Sequence, residues 1–208
     1  MSSRKIPAPI PDSHRRALDV AWRLIAERGL ENVTLAEIAR EAGLSRQALY
    51  LFFGGRGGLL KAMTQHKDVA SGIRQRFIEA SRSSPVDQAI GRTVAVWFDY
   101  LPEIEPVAFG LQAESSTDEE SRLAWSDRMK AFRDLFVYLA RRLTKEDRLC
   151  NGWSEEEAAD FMYALAGLST WRSLVVDRGW AADRAATKVA EAILSVLVKP
   201  APVLCPDA

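Results

Sequence analysis

The 208 residues are 48% hydrophobic and 27% charged, a balance that supports a packed core beneath a soluble surface and excludes a disordered chain. No apolar run reaches the ~18–20 residues of a bilayer-spanning helix, and the opening MSSRKIPAPIPD lacks the apolar stretch of a secretory signal, so the expected location is cytoplasmic, with no membrane partner. Formal net charge is zero, yet residues 1–66 hold ten Lys/Arg against six Asp/Glu, a basic head that suits a phosphate-binding module joined to an acidic remainder.

Almost every segment reads as helix. Ala, Leu, Arg and Glu dominate, and alternating strand patterns are absent. The periodicity predicts nine helices, over about 12–28, 35–42, 46–52, 57–81, 86–101, 104–115, 118–143, 155–177 and 182–198. Thr34-Leu-Ala-Glu37, Thr117-Asp-Glu-Glu120 and Ser154-Glu-Glu-Glu157 fit the capping box, in which hydroxyl and carboxylate each satisfy an orphan backbone N–H. Stops are expected at Gly29, Gly43, Ser83-Ser84-Pro85, Pro102, Gly179 and Pro200. The division expected is a reading domain over 1–56, a helical body over 57–198 and a flexible tail over 199–208.

The most informative stretch is VTLAEIAREAGLSRQALYLFF, residues 33–53. Leu35, Ile38 and Ala39 share one face of a short helix. Gly43 permits a left-handed helix end, Leu44 plugs the corner, and Ser45 can cap the next helix. The inward face of that helix is Ala48 or Leu49 with Phe52 or Phe53. Two short helices around a tight Gly-containing turn make a helix-turn-helix. Ala17, Val20, Ala21, Leu24 and Ile25 of the first helix supply its third wall.

Side chains not needed for that core are free for a major groove: Arg46, Gln47, Tyr50 and Leu51, with Ala48 placed for a thymine methyl. Tyr50 has a second reading, as part of the core. Thr34, at the start of helix two, is a cap that can also meet a phosphate. Arg56, near the start of helix four, adds its charge to a helix dipole.

The run from Thr34 to Phe53, followed by Arg56 and Leu59-Leu60, resembles the tetracycline-repressor (TetR) family, with the likeness covering roughly residues 12–66. The resemblance implies an all-α homodimer of nine or ten helices. It implies an N-terminal helix-turn-helix domain, a larger ligand-binding and dimerisation domain, and release of DNA when a small molecule enters the latter. By position it places Thr34, Ser45, Arg46, Gln47, Ala48, Tyr50, Leu51 and Arg56 in the operator-contacting part. Two departures stand out: Phe52 replaces a histidine usual in the family, and Gly54-Gly55-Arg56-Gly57-Gly58 replaces a lysine-rich, acid-capped stretch. Each glycine costs about 0.5–1 kcal/mol if helical, so helix four is expected to start late or loosely. The run is a candidate joint between head and body, tested by stiffening Gly57 and Gly58 to alanine.

The body carries five of the six tryptophans. Most of its aromatic residues must be core. In a family that binds small molecules there, they favour an apolar or aromatic ligand, with Trp97, Leu101, Phe109, Trp125, Met129, Phe161 and Trp171 as pocket candidates. Helices eight and nine carry apolar stripes, Phe161, Leu165, Leu168 and Val175 on one and Ala186, Val189, Ile193 and Leu197 on the other. By resemblance they pair with their two-fold mates.

Two histidines (His14, His66) and two distant cysteines (Cys150, Cys205) leave little for a metal site, a disulfide or an enzyme. No catalytic motif and no cofactor are expected. The function expected is a sequence-specific transcriptional regulator, a repressor released from a palindromic operator by a small ligand. The alternatives are a DNA-binding regulator without an effector and an activator.

Overall fold

The computed structural model describes residues 12–200. Residues 201–208 of the expected tail, and Cys205 with them, lie outside the described residues. Ten α-helices follow one another: α1 Asp12–Arg28, α2 Leu35–Glu41, α3 Arg46–Phe53, α4 Arg56–Ala70, α5 Ile73–Arg82, α6 Val86–Glu114, α7 Glu119–Lys145, α8 Glu155–Leu165, α9 Leu168–Trp171 and α10 Ala182–Leu197. The helix α9 continues as a wider π turn over Arg172–Val176. Among the described residues, β-type pairing is confined to one bridge, Leu149 with Val198. The chain is all-α, as its composition implies.

Three helix boundaries differ from the sequence reading. The stretch expected as one helix over 57–81 is two, because Gly72 adopts φ +62° between α4 and α5, a conformation that ends helices and that glycine enters without a Cβ clash. The helices expected over 86–101 and 104–115 are one, α6, which runs through Pro102 and Pro106. Each proline removes one helical hydrogen bond. Leu101, Ile104, Val107 and Leu111 are all buried along the same stretch, and that burial holds the helix through the defect. The helix expected over 155–177 turns at Gly167, whose extended backbone (φ −62°, ψ 160°) restarts it as α9.

The chain forms two compact units, and α6 and α7 each contribute to both. The first unit comprises residues up to Ser71 together with Ile104–Asp127. It therefore reaches past residue 56, taking in α4, the end of α6 and the start of α7. Its core combines Ala17, Ala21, Leu24 and Ile25 of α1 with Ile38 and Ala39 of α2, Leu49 and Phe53 of α3, and Leu59, Leu60 and Met63 of α4. Val107 and Leu111 of α6 complete it.

The second unit comprises Gly72–Glu103 and the chain from Arg128 onward. Trp97, Phe98, Tyr100, Phe132, Phe136, Met162 and Trp171 are buried in it, with the Trp97 and Phe132 ring centroids 4.3 Å apart. The stretch after α10 is tied down: the Lys199 N–H donates to the Arg148 carbonyl, the Cys150 N–H donates to that of Leu197, and the Lys199 ammonium pairs with Asp147 at 2.7 Å.

Candidate nucleic-acid interface

The first unit is built around α2, the turn after it, and α3. Thr34 caps α2: its hydroxyl oxygen accepts from the Glu37 N–H, and the Glu37 carboxylate accepts from the Thr34 N–H at 2.9 Å and from its hydroxyl at 2.8 Å. The backbone bond from Thr34, then the hydroxyl bond, hold the Glu37 carboxyl below its ordinary range, with Arg28 adding to the effect. In the turn, Gly43 has φ +67° and the Leu44 N–H donates to the Ala39 carbonyl. Ser45 caps α3 by accepting from the Ala48 N–H at 3.0 Å.

On α3 the structure decides what the sequence left open. Leu49 and Phe53 face inward, 2% and 9% exposed, whereas Tyr50 is 61%, Leu51 79% and Phe52 37% exposed. Arg46 and Gln47 are exposed one turn earlier and Ala48 is half-buried. Residues 46 and 50, and 47 and 51, are four apart, so these four side chains share one face of the helix, opposite Leu49 and Phe53. The face is cationic and polar at one end and apolar at the other.

The glycines of the run have different settings. Gly54 closes α3 with φ +75°. Gly57 and Gly58 lie inside α4, where they permit close approach. A Cβ on Gly57 would lie 2.1 Å from Cβ of Glu120, and one on Gly58 would lie 1.7 Å from the Phe53 carbonyl oxygen. Alanine at either position therefore introduces a clash rather than only stiffness. The α4 helix starts at Arg56, not late.

Arg56 is held by the chain itself. Its guanidinium donates to the carbonyls of Val33 (2.7 Å) and Leu30 (2.5 Å) and to both oxygens of Glu114, at the end of α6 (2.9 and 3.4 Å). The Gly57 N–H donates to the Glu120 carboxylate at 2.9 Å. A cleft of about 670 Å³ opens beside this cluster, lined by Glu31, Val33, Thr34, Leu35, Ala36, Arg46, Arg56 and Glu114. Three of the proposed contact residues, Thr34, Arg46 and Arg56, thus share one cleft.

Sequence reasoning missed three participants. Glu114 and Glu120 lie 58 and 63 positions from their partners, and no local pattern marks such a pair. His14, near the start of α1, packs against the Phe53 ring at 4.4 Å and the Phe52 ring at 5.6 Å. Burial, then the nearby His66, lower its pKa.

The pocket candidates fall in both units. Trp97, Leu101, Met129, Phe161 and Trp171 belong to the second unit, and Phe109 and Trp125 to the first. Trp97 is buried with its indole N–H on the Ala166 carbonyl at 2.9 Å. Leu101 and Trp171 are also buried; Phe109, Trp125, Met129 and Phe161 are half-buried. A second cleft, about 440 Å³, is lined by Thr144, Asp147, Leu149 to Glu155, none of them a candidate. Of the stripe residues, Leu168, Ala186, Val189, Ile193 and Leu197 are buried within the subunit. Phe161, Leu165 and Val175 are half-buried, and Val176 and Val196 are exposed.

Residues 17–63 match the family model described as bacterial regulatory proteins, tetR family. The HTH-type transcriptional regulator YxaF of Bacillus subtilis is 31% identical over 151 residues, 71% of this chain and 75% of its own length. The regulator BetI of Brucella melitensis is 30% identical over 103 residues, 43% of this chain, and the match spans about half of BetI (52%). Two solved structures share the fold. A transcriptional regulator from Saccharomonospora viridis in complex with choline has a TM-score of 0.73 at 22% identity, covering 91% of this chain and 99% of that one. FadR from Bacillus subtilis in complex with stearoyl-CoA has a TM-score of 0.73 at 16% identity, covering 88% and 98%.

Proposed function

The chain belongs to the TetR family of bacterial transcriptional regulators, with a DNA-binding helix-turn-helix, and from that premise we propose that it is a homodimeric repressor that leaves a palindromic operator when a small apolar or aromatic molecule binds its second unit. The observation that carries the reading is the outward face of α3. Arg46 and Gln47 have the side chains that make bidentate contacts to guanine and adenine. Leu51, 79% exposed, is an apolar side chain held in water, which a thymine methyl would cover. Tyr50 adds ring and hydroxyl on the same face, Ala48 sits at its edge, and Thr34 and Ser45 cap the two helices that aim it. Arg56 would add a phosphate contact from the cleft it shares with Thr34 and Arg46.

One eight-residue helix (Arg46–Phe53) reads few base pairs, and a two-fold dimer doubles the reading by placing two copies about one DNA turn apart, or a multiple of it. The outward residues of α8 to α10, namely Phe161, Leu165, Val175, Val176 and Val196, are the surface we assign to the partner copy. Structural relatives solved with choline and stearoyl-CoA support a small-molecule effector, which we place in the second unit among Trp97, Leu101, Met129, Phe161 and Trp171. A ligand shifts the DNA equilibrium only by its differential affinity for the two states. The helices α6 and α7, continuous through both units, are the covalent path for that coupling.

A second reading, regulation without a small-molecule effector, draws support from how closely the body's aromatic rings pack on one another, as Trp97 does on Phe132. Selection of genomic fragments by the purified protein at moderate salt tests the proposal. A recovered palindrome supports a dimeric reader, and release of that fragment by an aromatic or acyl compound supports the effector. A fragment set without any common sequence overturns the reading, and a palindrome that no compound releases favours the second one.

A further inference from the structure

We propose that Glu114 is an intramolecular competitor for the DNA phosphate, an autoinhibitory carboxylate that neutralises the cleft of the reading head until DNA displaces it. The inference rests on the DNA-binding reading of that head. The cleft holds two cations, Arg46 and Arg56, and two acids, Glu31 and Glu114, so as it stands it presents no net charge to a phosphate. Arg46, exposed, faces solvent. Arg56 is held through two kinds of bond. The carbonyls of Leu30 and Val33 anchor the guanidinium to the turn that leads into α2, and Glu114 takes two further donors, one with each oxygen. Exchange of Glu114 for a phosphate would keep the anchors, and the same fork of N–H groups fits either anion.

The position of Glu114 argues for an exchangeable partner. It is the last residue of α6, where the negative end of the helix dipole disfavours a carboxylate, so its local setting makes it easier to displace. The Ser121 hydroxyl donates to the same carboxylate at 3.2 Å, which holds it in the cleft. A second carboxylate, Glu120, accepts from the Gly57 N–H in the first turn of α4, so both anions of this segment sit on groups with the polarity of a phosphate site. The ion pair is about one-quarter exposed (29% and 21%), so it is accessible to exchange.

The test uses the full chain and a labelled random-sequence duplex, with affinity followed against KCl concentration. Glu114→Gln is expected to tighten binding about tenfold, the range of one charge-assisted contact, with the log–log salt slope of the wild type, since Arg56 meets a phosphate in both complexes and only the competing carboxylate is removed. Glu120→Gln, which leaves the Arg56 pair intact and guards against misfolding of the first variant, is expected to tighten binding without changing the slope. Glu119→Gln removes the same charge from an exposed residue bonded only to Arg122 and is expected to change affinity less than about twofold, the general effect of charge. The proposal is overturned if Glu114→Gln binds no tighter than Glu119→Gln while the wild type binds DNA. It is overturned together with the reading beneath it if neither wild type nor variants bind the duplex at low salt.

Discussion

The start of α3 and the start of α4 are ten residues apart and are built in opposite ways. Most of what shapes α3 is local: Ser45 caps it, Gly43 turns the chain before it, and the four-residue spacing of Leu49 and Phe53 gives it an inward face. Almost everything that shapes the start of α4 is distant. Arg56 reaches the carbonyls of Leu30 and Val33 and the carboxylate of Glu114, the Gly57 N–H reaches Glu120, and Gly58 touches the Phe53 carbonyl. Two glycines of a stretch that looks like a loose joint, Gly57 and Gly58, thus sit in a close-packed seam. Low side-chain content signals flexibility only where nothing packs into the space the side chain would fill.

The sharpest break of that comparison is Gly58→Ala. The added methyl must displace the end of α3, and a loss of about 3 kcal/mol or more is expected, measured by urea unfolding of the purified protein. Unchanged stability would mean that the seam is loose after all. Arg56→Ala comes next, leaving the Leu30 and Val33 carbonyls and Glu114 without their donors. A loss of about 2 kcal/mol is expected together with a salt slope on random DNA shallower by about one unit. Loss of slope at full stability would assign Arg56 to DNA alone.

On the locally built side, Gln47→Ala is expected to leave the melting temperature unchanged and to reduce discrimination between the selected operator and a point variant of it by about 1–3 kcal/mol. Equal weakening on specific and random duplexes would remove Gln47 from base reading. The smallest effect is Thr34→Ala, about 1 kcal/mol from the lost cap. Its pH dependence carries a sign. The Glu37 carboxyl is held below its ordinary value of 4.5 by its bonds from Thr34, so it stabilises the fold above that pH, and the contribution disappears as the pH falls through its lowered value. Melting temperatures taken from pH 6 down to 3 are expected to drop less steeply for Thr34→Ala than for wild type.

The same division, between local and distant causes, separates what was legible in the sequence from what was not. The helix-turn-helix was legible because caps, turn glycine and apolar spacing all act within four residues. The inward choice between Phe52 and Phe53 was not, since both spacings fit and only burial against α1 and α4 selects Phe53. The break at Gly72 and the unbroken passage of α6 through Pro102 and Pro106 were misread for one reason. Propensity is worth about 1 kcal/mol at a glycine and 3 at a proline, and burial of Leu101, Ile104, Val107 and Leu111 outweighs the prolines. The stripe on α10 was legible as apolar, but period alone cannot say whether Ile193 and Leu197 face their own core or a partner, and their full burial places them in the former.

By itself, then, the sequence determined the all-α class, the family, the reading helix and its caps, because those follow from short-range backbone chemistry and hydrophobic period. Tertiary structure alone decided which aromatic faces inward, why Gly57 and Gly58 must be small, and that Arg56 is held by Glu114. Except for Gly58, which meets the Phe53 carbonyl five residues before it, each of those depends on atoms brought together across dozens of residues, where packing and charge pairing act through space and leave no periodic trace along the chain.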